Sequence, residues 1–266
     1  MKNKLWKEYV WGKQSLAQLA KKYSRSIPFV RKQLNSVVVK KTEHKPQKLH
    51  IVADTVFFGR EYGIAVFRSP KLKKNLCFAE VEKETPYAYA LGRKHLESLG
   101  YKLISATIDG KRGVAGIFGD IPVQMCQFHQ LQIITRYLTR RPKLEAGKEL
   151  RIIARTLVES NEKEFSEKIY GWHEKWKDFL QEKTVNPETG RRCFTHRRIR
   201  SAWRSLKTNL PFLFTYEKHP ELDICNTTNS LDGSFSHLKT LLRIHRGQNA
   251  KMRKKTMDEI LRNQPD

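Results

Sequence analysis

Acidic residues are scarce in this chain: 27 Asp and Glu stand against 52 Lys and Arg, a formal charge of +25 over 266 residues. A surface of that balance attracts polyanions, and nucleic acid is the natural partner. Cysteine is scarce as well, and Cys77, Cys126, Cys193 and Cys225 form no Cys-x-x-Cys pair. They therefore frame neither a zinc ribbon nor a disulfide scaffold, and reduced thiols are expected. Apolar runs of membrane-spanning length are missing, and so is any basic amphipathic helix with a bulky apolar face, so no membrane role is expected. The opening MKNKLWKEYVWGK carries charge without the apolar stretch or small-residue cleavage site of a secretory signal. A cytoplasmic, nucleoid-associated location follows as the expectation.

What is present divides into modules. Residues 1–40 are basic, Glu8 being their only acid, with Glu43 following. In SLAQLAKKYSRSIPFVRKQL, Leu16, Leu19, Ala20 and Tyr23 keep helical spacing, and Ile27, Val30 and Leu34 restart it after the polar break Ser24-Arg25-Ser26. Ser26 suits the N-cap of the second helix, and Pro28 is tolerated in its first turn, where the missing N–H would lack a partner anyway. A helix-turn-helix results, with Arg25, Arg31 and Lys32 facing outward as candidates for DNA contact. A basic helical pair with a solvated face is the alternative. Residues 41–48 read as a linker.

From Leu49 the pattern changes to strands. LHIVADTVFF, YGIAVFRS and NLCFAEVE are short apolar runs separated by turn residues at Gly59-Arg60-Glu61 and from Pro70 to Lys74, which predicts a three-stranded meander. Pro86 opens a helical stretch that Gly100 stops. YKLISATID and IPVQMCQF then read as two more strands, with a short helix or turn between them and a further helix in FHQLQIITRYLTR, as a parallel crossover requires. The order is three strands, then helix, strand, helix, strand, helix: an α/β, ribonuclease-H-like mixed sheet flanked by helices. Residues 49–142 and 223–266 are assigned to it.

The few carboxylates matter by position. Asp54 is read as closing the first strand, Asp109 as closing the fourth, and Asp232 as sitting at a helix start in NTTNSLDGSFSHLK. With Cys126-Gln127-Phe128-His129 between the second and third, this ordered set resembles the DDE/DDD transposases of insertion sequences, nearest to the Mutator-like group. The resemblance spans residues 49 to about 245. It implies a transposase that binds element ends and carries out metal-dependent DNA cleavage and strand transfer. Its catalytic and metal residues would be Asp54, Asp109 and Asp232, holding two Mg²⁺ or Mn²⁺ ions, with Asp54 bridging both. The group usually has Glu at the third position, so Asp232 departs from it by one methylene of reach.

Three hard oxygen donors suit that chemistry. In-line attack at a phosphodiester builds negative charge on the attacking and leaving oxygens, which two ions roughly 3.5–4 Å apart can stabilise. The resemblance also gives Cys126 and His129 a supporting role at the active site, and Lys239, seven residues beyond Asp232 and on the same helical face, a role in positioning DNA. Thr228 and Asn229 are ordinary helix-start residues that could orient the loop before Asp232. Residues 143–222 are read as an all-helical insertion, in which Trp172, Trp176 and Trp203 fall among apolar positions as packing residues. The five Arg between Arg191 and Arg200 make either a phosphate-contacting loop or a solvated face. The partners implied are double-stranded DNA, both element ends and target, and further copies of the chain, because two ends must be brought together. Two rival readings keep the same architecture: a catalytically idle DNA-binding protein derived from a transposase, and a ribonuclease-H-like nuclease that joins nothing.

Overall fold

In a computed structural model, which describes residues 1–40, 45–59, 62–185 and 187–263, the apolar runs form β1 (Lys48–Phe58), β2 (Tyr62–Ser69), β3 (Lys74–Val81), β4 (Lys102–Ile108) and β5 (Val123–Met125). Residues 41–44 of the linker, with Glu43, and Arg60 and Glu61 of the first turn lie outside the described residues. The five strands make one mixed sheet in the order β3-β2-β1-β4-β5. β1–β2 and β2–β3 are antiparallel, whereas β1–β4 and β4–β5 are parallel. The antiparallel pairs close through short turns; the parallel pairs need crossovers, supplied by α4 (Pro86–Ser98) and by the short α5 (Val114–Ile117). A mixed five-stranded sheet flanked by helices in this order is compatible with a ribonuclease-H-like fold.

Alternation along β1 decides what each face of the sheet receives. Ile51 and Ala53 join Phe67, Tyr89 and Leu96 in the core beneath α4. Val52 and Val56 face the other way, into a core built with helices from both ends of the chain. That second core takes Leu5, Trp6 and Tyr9 from α1 (Lys2–Val10), Leu19 from α2 (Leu16–Lys22) and Leu34 from α3 (Ile27–Asn35). It also takes Leu238 and Leu241 from α11 (Asn229–Ile244) and Ile260 from α12 (Ala250–Arg262). α2 and α3 start as their sequences require: Ser15 makes a capping box with Gln18, and the Ser26 side chain accepts from the Phe29 N–H. α1, with no cap side chain, was not legible in the sequence pattern. Lys255 Nζ donates to the Leu34 carbonyl at 2.6 Å, and Gln248 Nε2 donates to the Tyr9 hydroxyl at 3.0 Å. The basic tail thus packs as an ordered helix against the N-terminal ones.

The third core belongs to α6 (Gln127–Leu138), α7 (Glu145–Arg155), α8 (Glu162–Gln181) and α9 (Arg197–Leu213). Trp172 and Trp203 lie buried in it, as packing residues should. The segment between α6 and α11 is not wholly helical: β6 (Lys183–Val185) and β7 (Arg192–Phe194) form a small antiparallel ribbon where a basic loop is expected. Thr184 and Thr195 hydroxyls pair across it at 2.7 Å, and the Arg200 guanidinium stacks 3.5 Å from the Phe194 ring centroid. The end of α9 and the following α10 (Thr215–Lys218) are tied back to β5. Gln124 donates to the Leu213 carbonyl and accepts from the Tyr216 N–H, and the Thr215 hydroxyl donates to the Val123 carbonyl. These buried bonds fix α9 beside the sheet.

Candidate metal centre

Asp54 sits at a fork in the sheet. β1 and β4 run paired as far as Ala53 and Ile108; beyond that Asp109 leaves β4, while β1 continues against β2 to Phe58. Asp54 is therefore interior to β1, a correction to its expected place at the strand's end: the hairpin with β2 carries the strand four residues further. Sharing a face with Val52 and Val56, it points toward α11. The Thr55 N–H donates to its Oδ1 at 2.6 Å, and Lys111 N–H holds Asp109 Oδ1 at 2.8 Å. Gly110 makes the second clasp possible: at φ +84 it turns the chain where a Cβ would meet Met125 Cε at 2.3 Å.

Asp232 arrives from α11, in its first turn, where the helix N-terminus favours a negative charge. Although one methylene shorter than Glu, it brings a carboxylate oxygen within 4.8 Å of ligand atoms of Asp54 and His129. A second group, Asp54, Glu84 and Asp109, gathers within the same limit. Asp54 is common to both. Glu84 was missed in the sequence because it stands next to the Thr85 cap of α4 and looks no different there from Glu82. The only signal was its placement just before a Thr-Pro helix start. In the fold it is anchored by Tyr89, whose hydroxyl donates to Oε1 at 2.6 Å, and it faces Lys111 Nζ at 3.8 Å.

The Cys126-x-x-His129 motif ties the two halves together. β5 ends at Met125, three residues earlier than the apolar run suggests, because Cys126 turns the chain into α6. Thr228, fully buried, is the joint. Its backbone N–H lies 3.3 Å from Cys126 Sγ, and its hydroxyl is 3.4 Å from the same sulfur, 3.3 Å from His129 Nδ1 and 3.4 Å from Asp232 Oδ2. The other ring nitrogen, His129 Nε2, stands 4.0 Å from Asp54 Oδ2. One threonine thus registers α11 against α6.

The electrostatics are those of a crowded acid site. Burial pushes the Asp54 carboxyl up to about 7, with the Asp109 charge adding to the effect and His129 opposing it. Glu84 is raised too, by burial first and then by Asp109. Burial works against a charged His129, yet its hydrogen bond with Cys126 and the charges of Cys126, Asp54 and Asp109 carry it up to about 9. Partly buried carboxylates that repel one another are a set of hard oxygen donors suited to a divalent cation, and His129 joins them as a ligand only by giving up its proton.

The remaining expected site residues lie elsewhere. Lys239 is exposed two turns along α11 from Asp232. Arg25, Arg31 and Lys32 are exposed, Arg25 just before α3 and the other two on it, with the Arg25 guanidinium 5.6 Å from the Phe29 ring centroid. Among the described residues no helix is long and apolar enough to cross a membrane. No protein-family model matches this chain, and no curated protein matches it significantly.

Proposed function

We propose that this protein is a DNA transposase with a two-metal site, and the observation that carries the reading is Asp54 shared between two three-ligand groups. Asp54, Glu84 and Asp109 would hold one Mg²⁺ or Mn²⁺ ion, and Asp54 and Asp232 the other, with His129 as a further donor once its proton is displaced. Such ions supply activation of the attacking oxygen and neutralisation of the leaving one at a phosphodiester. The chain's own contribution is preorganisation. Thr55 and Lys111 backbone N–H groups fix Asp54 and Asp109, and Thr228 fixes His129 and Asp232, so the acids need not reorganise when the substrate phosphate enters. Tyr89 holds Glu84 through Oε1, while Oε2 faces Lys111 Nζ at 3.8 Å.

The charge of +25 supports DNA as the polyanion that docks, and α2–α3 as a helix-turn-helix carrying Arg25, Arg31 and Lys32 to it. In this reading residues 143–222 are an insertion in a ribonuclease-H-like domain, Lys239 steadies DNA beyond the third carboxylate, and copies of the chain assemble on paired ends in the nucleoid. The test uses purified protein and a labelled fragment carrying the native flanks of its gene. Mg²⁺-dependent nicking at the flank, followed by joining to a target plasmid, should be abolished by EDTA and by Asp54→Ala, Asp109→Ala or Asp232→Ala. Cleavage without joining would favour the nuclease; binding without cleavage would favour the idle DNA-binding protein.

A further inference from the structure

Three clefts adjoin along α9, and among the described residues only the one at the metal centre has acids beside its cations. The first opens at Glu84, Asp109 and His129 and is closed on the far side by Arg136, Ser205 and Asn209. Ser205 and Asn209 also line the second, together with Arg112 and Arg204. Arg204 and Thr208 in turn line the third, with Arg200, Lys207 and His173. The helix makes this continuity: Ser201, Ser205 and Asn209 repeat every four residues along one stripe, and Arg200, Arg204 and Thr208 along the next. No acidic residue lines the second or third cleft among the described residues.

These cations are not spent on the fold. Arg112, Arg136, Arg204 and Lys207 are exposed, and among the described residues none has an acid within ion-pair distance. Arg200 is different, donating to the Leu180 carbonyl and stacking on Phe194. Like charges gathered on one groove without counter-ions repel, and a polyanion laid along it relieves that repulsion. From Arg200 to Asn209 the helix advances about 14 Å, the length of about four nucleotides of one duplex strand. The groove begins at the acid cluster and is anchored to β5 by buried hydrogen bonds, so whatever lies in it is held in register with the metal centre.

We propose that α9 is the phosphate-binding wall of the DNA path, gripping the backbone beside the scissile phosphate through Arg112, Arg204 and Lys207. The inference rests on the transposase reading and adds the surface that holds the substrate. It is tested on full-length protein in chelator, which prevents cleavage, by fluorescence anisotropy with a labelled duplex across a salt series. Arg204→Ala/Lys207→Ala should lower the slope of log affinity against log salt by about 1.8, the loss of two phosphate contacts at about 0.9 each. The control pair, Lys71→Ala/Lys73→Ala, removes the same charge from the exposed β2–β3 turn and should leave the slope within a few tenths of wild type. Equal changes in the two pairs would make the effect one of net charge and overturn the proposal, even with metal-dependent cleavage intact. Unchanged binding by the α9 pair would overturn it as well. If the alanine pair fails to fold, Arg204→Gln/Lys207→Gln carries the same expectation. A wild-type protein that does not bind duplex at all would sink the underlying reading along with it.

Discussion

Removing the central carboxylate should make the metal-free protein more stable. In the folded chain Asp54 is raised to about 7 from an ordinary value of 3.8, a difference of about 3 units. Each unit is about 1.4 kcal/mol, so at pH 8, where the group is ionised in both states, the folded state carries a penalty of about 4 kcal/mol relative to acid solution. The sign follows from proton binding. The folded protein holds this proton more tightly than the unfolded chain does, so stability falls as pH rises from about 4 to about 7 and stays low above that. Asn resembles the protonated acid, keeps an acceptor for the Thr55 N–H, and can donate to a neighbouring carboxylate. Asp54→Asn in EDTA at pH 8 should therefore melt higher than wild type, by about 2–4 °C for each kcal/mol recovered, and the gain should shrink toward pH 5. Added Mg²⁺ should stabilise wild type and leave the variant unmoved. A variant that melts at or below wild type at pH 8 in EDTA would refute the reasoning, because the acids would then not be held together against their repulsion.

Two further outcomes follow from buried groups near the site. Thr228→Val keeps the backbone N–H on Cys126 but deletes the hydroxyl shared by Cys126, His129 and Asp232; Mg²⁺ affinity measured by calorimetry should fall about 10–100-fold, as for other residues that orient ligands, and unchanged affinity would remove Thr228 from that role. His50 is buried between Ser105 at 2.9 Å and Thr107 at 3.2 Å, and burial lowers it to about 4. Its folded value lies below its ordinary 6.5, so its contribution is complete above pH 6.5 and is lost as pH falls toward 4. Wild type should lose about 3 kcal/mol more than His50→Gln across that window in urea titrations, and parallel curves would contradict it.

The sheet and its crossovers could be read from the sequence because burial writes them there: continuous apolar runs for strands covered on both faces, and Pro or Gly at the helix ends. Asp54, Asp109, His129 and Asp232 were visible because they interrupt or terminate such runs, or stand in a helix start. Glu84 was not, since a glutamate in a polar connection carries no mark of the partner it will meet. Its neighbours in space, Asp54 and Asp109, come from strands paired in parallel across a long crossover, and only that pairing brings the three together. α1 escaped because its apolar residues, Leu5, Trp6, Tyr9 and Val10, are scattered in a charged segment with no side-chain cap to mark its start. The β6–β7 ribbon was hidden by its shortness, its two strands being three residues each and lying mostly at the surface. The grip of Thr228 on Cys126 was out of reach, because no spacing rule relates positions 102 residues apart.

The interlocked ends of the chain set a clock on its synthesis. The Tyr9–Gln248 bond joins residues 239 apart, and the core that receives α1 and α3 also needs residues of α11 and α12. At about 5–20 residues per second, the ribosome needs about 12–50 s between making the first of these helices and the last. Throughout that interval the core around Leu5, Trp6 and Leu34 lacks the side chains of α11 and α12. The packing of this N-terminal face onto the sheet therefore waits for α11 and α12, and α11 is the helix that brings Asp232 beside Asp54.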